Sequence, residues 1–200
     1  MVGGLGAGFV ARRWMAKLRR GAVVSPGSLE IPTALLCGLA VVLTHPWRWP
    51  LLLGIGLLTV MLSAVDLKHH RLPDAITLPA IPATVLLAVV TELTWPDAGE
   101  VWRAVAGGLA LGGAFYLMVL AAPRSMGRGD AKLAVSLGVA LGYFGWAALL
   151  LGVTLAFVLG ALIGVLGVLS RRMTMKSAIP FGPALLVGCW LALAVPGLTS

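Results

Sequence analysis

Long apolar stretches separated by short polar segments dominate the sequence, and they show no strict alternation of apolar and polar residues. Alternation would be typical of a membrane barrel, whereas runs of roughly 20 apolar residues indicate helices that cross a bilayer. The pattern therefore predicts about seven transmembrane helices. Their predicted bounds are 31–44, 51–65, 76–93, 101–122, 130–141, 147–170 and 181–195.

Proline, glycine and tryptophan divide and shape these runs. The segments His45–Pro50 and Gly142–Trp146 have the composition of interfacial turns. Pro79 and Pro82 lie inside the third span, where we expect them to bend or locally unwind the helix. The fourth span has small residues four apart, so we expect close helix packing in the bundle interior. These residues are Gly107, Gly108, Gly112 and Gly113.

The composition excludes a soluble globular protein, because 60% of the residues are hydrophobic and only 11% are charged. The net charge of +8 raises the question of nucleic-acid binding. The basic residues, however, lie between the apolar runs rather than on one face or tail. We therefore expect a lipid bilayer as partner and no nucleic acid.

The distribution of Lys and Arg predicts the topology. With a cytoplasmic N-terminus and seven spans, thirteen of the fifteen basic residues face the cytoplasm, and only Arg48 and Arg103 face outwards. The sequence thus predicts an all-α, polytopic helix bundle in the inner membrane. We expect residues 1–30 to be a short basic lead-in and residues 31–200 to form one membrane-embedded domain.

Two of the seven acidic residues, Asp66 and Asp130, lie against the edges of apolar runs, and the topology brings both to the cytoplasmic interface. Ionisable groups near a membrane interior are costly and are functional candidates by default. Two adjacent carboxylates tend to share one proton, so that one acts as base and the other as acid. The pair predicts a water-activating aspartyl protease, with Asp130 as base because it opens a helix and Asp66 as acid because it closes one.

The residues around Asp130 suggest a substrate-binding loop. Gly127 and Gly129 permit backbone conformations and close approaches that favour an extended substrate. Lys132 is expected either to reach lipid headgroups or to support a carboxylate and the substrate at the site. Helix capping is the simpler explanation for Asp130 taken alone, and it is the expected role of Asp74.

No metal or cofactor is expected. His69 and His70 follow Asp66, but adjacent histidines in a basic segment favour a solvated patch facing the headgroups over a metal site. The two cysteines, Cys37 and Cys189, lie inside apolar runs without partners at metal-ligand spacing, and we interpret them as small buried hydrophobic residues.

Three segments together resemble the type IV prepilin peptidases, a family of GxGD aspartyl proteases. They are AVDLKHHRLPD at 64–74, GRGDAKL at 127–133 and IPFGP at 179–183. The resemblance implies a membrane endopeptidase that removes the basic leader peptide from type IV pilin-like precursors at the cytoplasmic face. It also implies that Asp66 and Asp130 are the two catalytic aspartates.

One departure from the family concerns methyl transfer. Many bacterial members carry paired CxxC motifs in an N-terminal cytoplasmic region and also methylate the new N-terminus, whereas this sequence has only two, widely separated cysteines. The resemblance is therefore to the short form, and we do not expect N-methyltransferase activity.

Other functions compete with this interpretation. A presenilin-like intramembrane protease would use the same chemistry, and residues 183–185 spell its PAL triplet, but the residues around Asp66 differ from that family. A proton- or cation-coupled transporter would also use membrane aspartates, although near the midplane rather than at one interface. A non-catalytic assembly factor would explain neither acid.

Overall fold

The computed structural model describes residues 2–17, 29–69, 73–122, 127–170 and 181–194, and within them the chain is helical without strands. This confirms the all-α fold. A short 3₁₀ turn, Pro46–Arg48, joins the second helix to the third. The helices are α1 (Val2–Lys17), α2 (Glu30–Leu43), α3 (Trp49–His69), α4 (Asp74–Thr94), α5 (Val101–Ala121), α6 (Arg128–Phe144), α7 (Trp146–Leu169) and α8 (Phe181–Ala194).

Four of these helices are long and apolar enough to cross a membrane: α3, over the stretch Pro46–Asp66, and α4, α5 and α7. Helices α2 and α8 are apolar but have only 14 residues each. Large apolar side chains on α5 and α7 point outwards, such as Leu109 at 71% and Leu150 at 65% exposed, as lipid-facing residues do. The chain is a multi-pass membrane helix bundle. The count of seven spans and the side of the N-terminus stay predictions.

The connection between α6 and α7 is shorter than predicted. Instead of a turn over Gly142–Trp146, α6 continues to Phe144 and only Gly145, with φ 134°, separates it from α7. Tyr143 and Phe144 are buried, at 0% and 4% exposed, so these aromatic residues belong to the core rather than to an interfacial belt.

Helix α4 remains continuous through its two prolines, so the first alternative, local unwinding, is wrong, while a bend at the prolines stays a prediction. Each proline removes one N–H donor from the helix, but the neighbouring residues retain their helical conformation. A side chain adds one hydrogen bond within this helix: the Thr84 hydroxyl donates to Ala80 O at 2.7 Å. Both proline rings lie on the exposed side of α4, where they meet little resistance from packing.

Helices α5 and α6 pack backbone to backbone, as the small residues predicted. A Cβ atom built on Gly107 would lie 2.6 Å from Gly138 O, and one built on Gly138 would lie 2.5 Å from Gly107 O. A Cβ atom built on Gly113 would meet no atom within 4 Å, so Gly113 faces away from α6. At the end of α6, Arg103 donates to Gly142 O and to Tyr143 O, both at 3.1 Å. Helix α6 also packs against α4, so the bundle fixes its position on two sides.

Candidate active site

Asp66 lies near the C-terminal end of α3, where it is the last residue of the stretch that can cross a membrane. Its neighbours on the helix are apolar and buried, including Leu62 at 0% and Val65 at 1% exposed. Asp66 itself is 5% exposed. A carboxyl group in such a setting is costly unless it is protonated or has suitable partners.

Asp130 lies in the first turn of α6, outside the four candidate spans. Gly127 is the N-cap residue, so Asp130 occupies the third helical position rather than the cap. Its carboxylate accepts a hydrogen bond from the Gly127 backbone N–H. This contact resembles the reach-back half of a capping box, and it gives Asp130 a local structural role as well.

The carboxyl groups of Asp66 and Asp130 interact electrostatically across the bundle. Burial, and secondly the charge of Asp66, raise the pKa of Asp130 to about 6, against the opposing effect of the bond from Gly127. The helix N-terminus favours a charged Asp130, which was the reason to expect it as base. Burial and Asp66 outweigh that effect, so the protonation state is better assigned to the pair than to either residue.

The two glycines before Asp130 differ from the expectation in one respect. Gly127 has φ −75° and Gly129 lies inside α6, so neither requires a conformation that is restricted to glycine. The close approach at Gly127 is to Asp130 itself: a Cβ atom there would lie 3.1 Å from the Asp130 Oδ2 atom. That Gly127 and Gly129 bind substrate stays a prediction.

Lys132 pairs with Asp74. The Lys132 Nζ atom lies 2.6 Å from Asp74 Oδ1, with the two side chains 33% and 63% exposed. Asp74 is the first residue of α4 and makes no capping hydrogen bond, because Pro73 occupies the N-cap position. The expected capping role is therefore wrong, although a carboxylate at this helix end is still favourable. Sequence reasoning did not predict the pair, since the partners are separated by 58 positions.

Parts of the sequence motifs lie outside the residues that the structure describes. The side chains of His69 and His70 are not among the described residues, and neither are Ile179 and Pro180 of the IPFGP segment. Phe181 begins α8, and its ring lies 6.1 Å from that of Phe115 on α5. Among the described residues, no three His, Cys, Asp or Glu side chains come together as a metal-binding group.

The model of the Type IV leader peptidase family matches residues 51–165. The chain belongs to this family. The matched region covers α3 to α6 and most of α7, and therefore includes Asp66, Asp74, Asp130 and Lys132.

Curated proteins that are similar to the chain are named prepilin leader peptidase/N-methyltransferase. The chain is 34% identical to the Aeromonas salmonicida protein over 82% of its own length and 56% of the relative. Identity is 37% with the Pseudomonas putida protein, over 74% of the chain and 47% of the relative. The Pseudomonas aeruginosa protein is 35% identical, over 82% of the chain and 56% of the relative. The chain thus spans about half the length of these relatives. No solved structure matches it.

Proposed function

We propose that this chain is an aspartyl endopeptidase that cleaves the leader peptide from type IV prepilin-like precursors at the cytoplasmic membrane face. The observation that carries the proposal is the electrostatic interaction of Asp66 with Asp130. These acids come from two helices, and the site lies within the region matched by the family. The names of the curated relatives support the same substrate class.

In the proposed mechanism, Asp66 and Asp130 share one proton. The ionised carboxylate takes a proton from a water molecule, whose oxygen then forms a bond to the carbonyl carbon of the scissile peptide. The protonated carboxyl donates its proton to the carbonyl oxygen. When the tetrahedral intermediate collapses, the carboxyl group that took the proton from water donates it to the leaving nitrogen and the C–N bond breaks. One hydroxyl of the intermediate returns its proton to the other carboxylate, so that two products form and the shared proton is restored.

The cytoplasmic location of the site is supported by charge. Thirteen of the fifteen basic residues share one side in the predicted topology, and Asp66 and Asp130 fall on that side. A basic leader peptide would remain in the cytoplasm for the same reason as these loops. The scissile bond would then lie at the membrane surface, where water is available for hydrolysis.

The test uses the purified chain in liposomes with a precursor that has a basic leader before an apolar helix. We expect one cleavage at the junction, and we expect Asp66→Asn and Asp130→Asn each to reduce the rate by at least a thousandfold, on the order of the loss of a general acid or base. Asp97→Asn is the matched control, because Asp97 is exposed in the loop before α5. Mass spectrometry locates the cut.

Two results would reject the proposal. Near wild-type cleavage by either Asn variant would exclude the dyad. A cut within the apolar helix of the substrate would instead support the GxGD intramembrane protease, for which the triplet Pro183–Leu185 lies in α8.

A further inference from the structure

We propose that the ion pair between Lys132 and Asp74 is a positioning device that sets the separation of the two catalytic carboxyl groups. The inference rests on the proposed peptidase function and adds two residues to it. Neither residue touches the scissile bond in this proposal. They act by holding the starts of α4 and α6 together.

The chain places each partner close to one of the aspartates. Lys132 follows Asp130 by two residues on the first turns of α6, and Asp74 follows Asp66 by eight residues, at the start of the next helix. The Nζ and Oδ1 atoms are 2.6 Å apart, as in a charge-assisted hydrogen bond. The pair therefore links the start of α4, the helix that comes next after Asp66 in the chain, to the first turns of α6, which carry Asp130.

Helix packing places this link between the helices that carry the two aspartates. Helices α3 and α6 carry the aspartates but touch each other only marginally, whereas α4 packs against both. The position of Asp130 relative to Asp66 is consequently transmitted through α4. At the C-terminal end of α6, Arg103 holds the helix by two hydrogen bonds to backbone carbonyls. The ion pair is the corresponding polar contact at the N-terminal end, which carries Asp130.

The pair is suited to positioning more than to stability. Because both side chains are partly exposed, their attraction is screened and contributes little to the free energy of unfolding. Catalysis is more sensitive, since a displacement of about 1 Å lowers a rate by up to a hundredfold. Loss of the pair should hence reduce turnover while leaving folding and substrate binding nearly unchanged.

The experiment is a double-mutant cycle with Lys132→Met, Asp74→Asn and the double variant, measured as cleavage of the precursor in liposomes. We expect each single change to lower kcat about tenfold with KM unchanged, and the double change to cost no more than the larger single effect. Lys132→Arg should keep most of the activity, because it preserves the charge and the contact. Melting temperatures should differ by no more than about 3 °C.

The control is Glu100→Gln, which removes an exposed carboxylate 3.7 Å from Arg103 at the far end of α6 and should leave kcat unchanged. A raised KM in Lys132→Met with normal cleavage by Asp74→Asn would mean that Lys132 binds substrate, and it would overturn the proposal. Wild-type rates in both single variants would also overturn it. These failures differ from failure of the proposed function, in which the wild type does not cleave or the Asp→Asn variants remain active.

Discussion

Asp66 and Asp130 interact electrostatically although their helices, α3 and α6, touch only marginally. Each carboxyl group lies at the end of its helix, and α4 packs between the two elements. The interaction therefore depends on the arrangement of three helices rather than on one motif. Changes in either aspartate, in Gly127 before α6 or in helix packing should therefore have different effects on the pKa of Asp130, on kcat and on the melting temperature.

The first prediction concerns the pKa of Asp130. In the variant Asp66→Asn the charge of the neighbouring carboxylate is gone, so the pKa of Asp130 should fall from about 6 while burial still holds it above its ordinary value. The measurement is a pH titration of carboxyl carbons by NMR on ¹³C-aspartate-labelled protein, in which four aspartates contribute in the wild type and three in the variant. Asp97→Asn should leave the midpoint of Asp130 unchanged. An unchanged midpoint in Asp66→Asn would show that the two carboxyl groups do not interact.

A methyl group at position 127 should disturb the proposed active site directly. In Gly127→Ala the new Cβ atom would lie 3.1 Å from Asp130 Oδ2, so the carboxylate must move, and we expect kcat to fall roughly tenfold or more. Because φ at Gly127 is −75°, alanine fits the backbone and the melting temperature should change little. Cleavage assays and thermal unfolding of the same preparation test both statements.

The opposite behaviour is expected of Gly145→Ala. Gly145 has φ 134°, which alanine adopts only with strain, whereas a Cβ atom there meets no neighbour within 4 Å. The melting temperature should fall by several degrees, and the activity of the remaining folded protein should stay near that of the wild type. If Gly127→Ala and Gly145→Ala gave the same pattern, the local explanation for position 127 would be wrong.

Packing of α5 on α6 gives another prediction, about stability. Gly138→Ala forces a methyl group against the backbone of Gly107 and should destabilise the bundle by about 1–3 kcal/mol. Gly113→Ala, on the same helix pair but facing open space, should be neutral or slightly stabilising. Tryptophan fluorescence during thermal unfolding in detergent measures both. Equal losses would mean that the contact between Gly107 and Gly138 is not the cause.

The last prediction separates cleavage from methyl transfer. We expect the 200-residue chain alone to leave the new N-terminus of a processed precursor unmethylated, because its only cysteines, Cys37 and Cys189, form no CxxC motif. Mass spectrometry of the product, in the presence of a methyl donor, gives the answer. The Aeromonas salmonicida relative, whose name includes N-methyltransferase, is the comparison protein. A methylated product from this chain alone would contradict the prediction.

The helices could be predicted, and the dyad could be proposed, because both follow from patterns along the chain. Apolar runs bounded by proline, glycine or charge gave helix ends within a few residues, as for Glu30–Leu43 and Trp146–Leu169. Counting the spans and the basic residues brought Asp66 and Asp130 to one end of the bundle. The electrostatic interaction between them agrees with that prediction.

The remaining features depend on which helices are neighbours, and a single sequence carries little information about this. The partner of Lys132 is Asp74, 58 positions earlier, and no pattern around either residue indicates the contact. The predicted environment of Tyr143 and Phe144 was wrong for another reason. Aromatic residues beside glycine are typical of interfacial turns and of tight cores alike. Only the packing of α6 decides between these environments.

The single-residue connection at Gly145 has a consequence for how the bundle tolerates changes in length. A residue inserted there and absorbed by α7 would rotate that helix by about 100° and shift it by about 1.5 Å. Small residues that now pack against α8, such as Gly152 and Gly160, would turn away from that helix. The loop Trp95–Glu100 lies outside the helices and can take an extra residue, whereas the junction at Gly145 cannot. The length of this junction therefore fixes how α7 is rotated about its axis relative to α6.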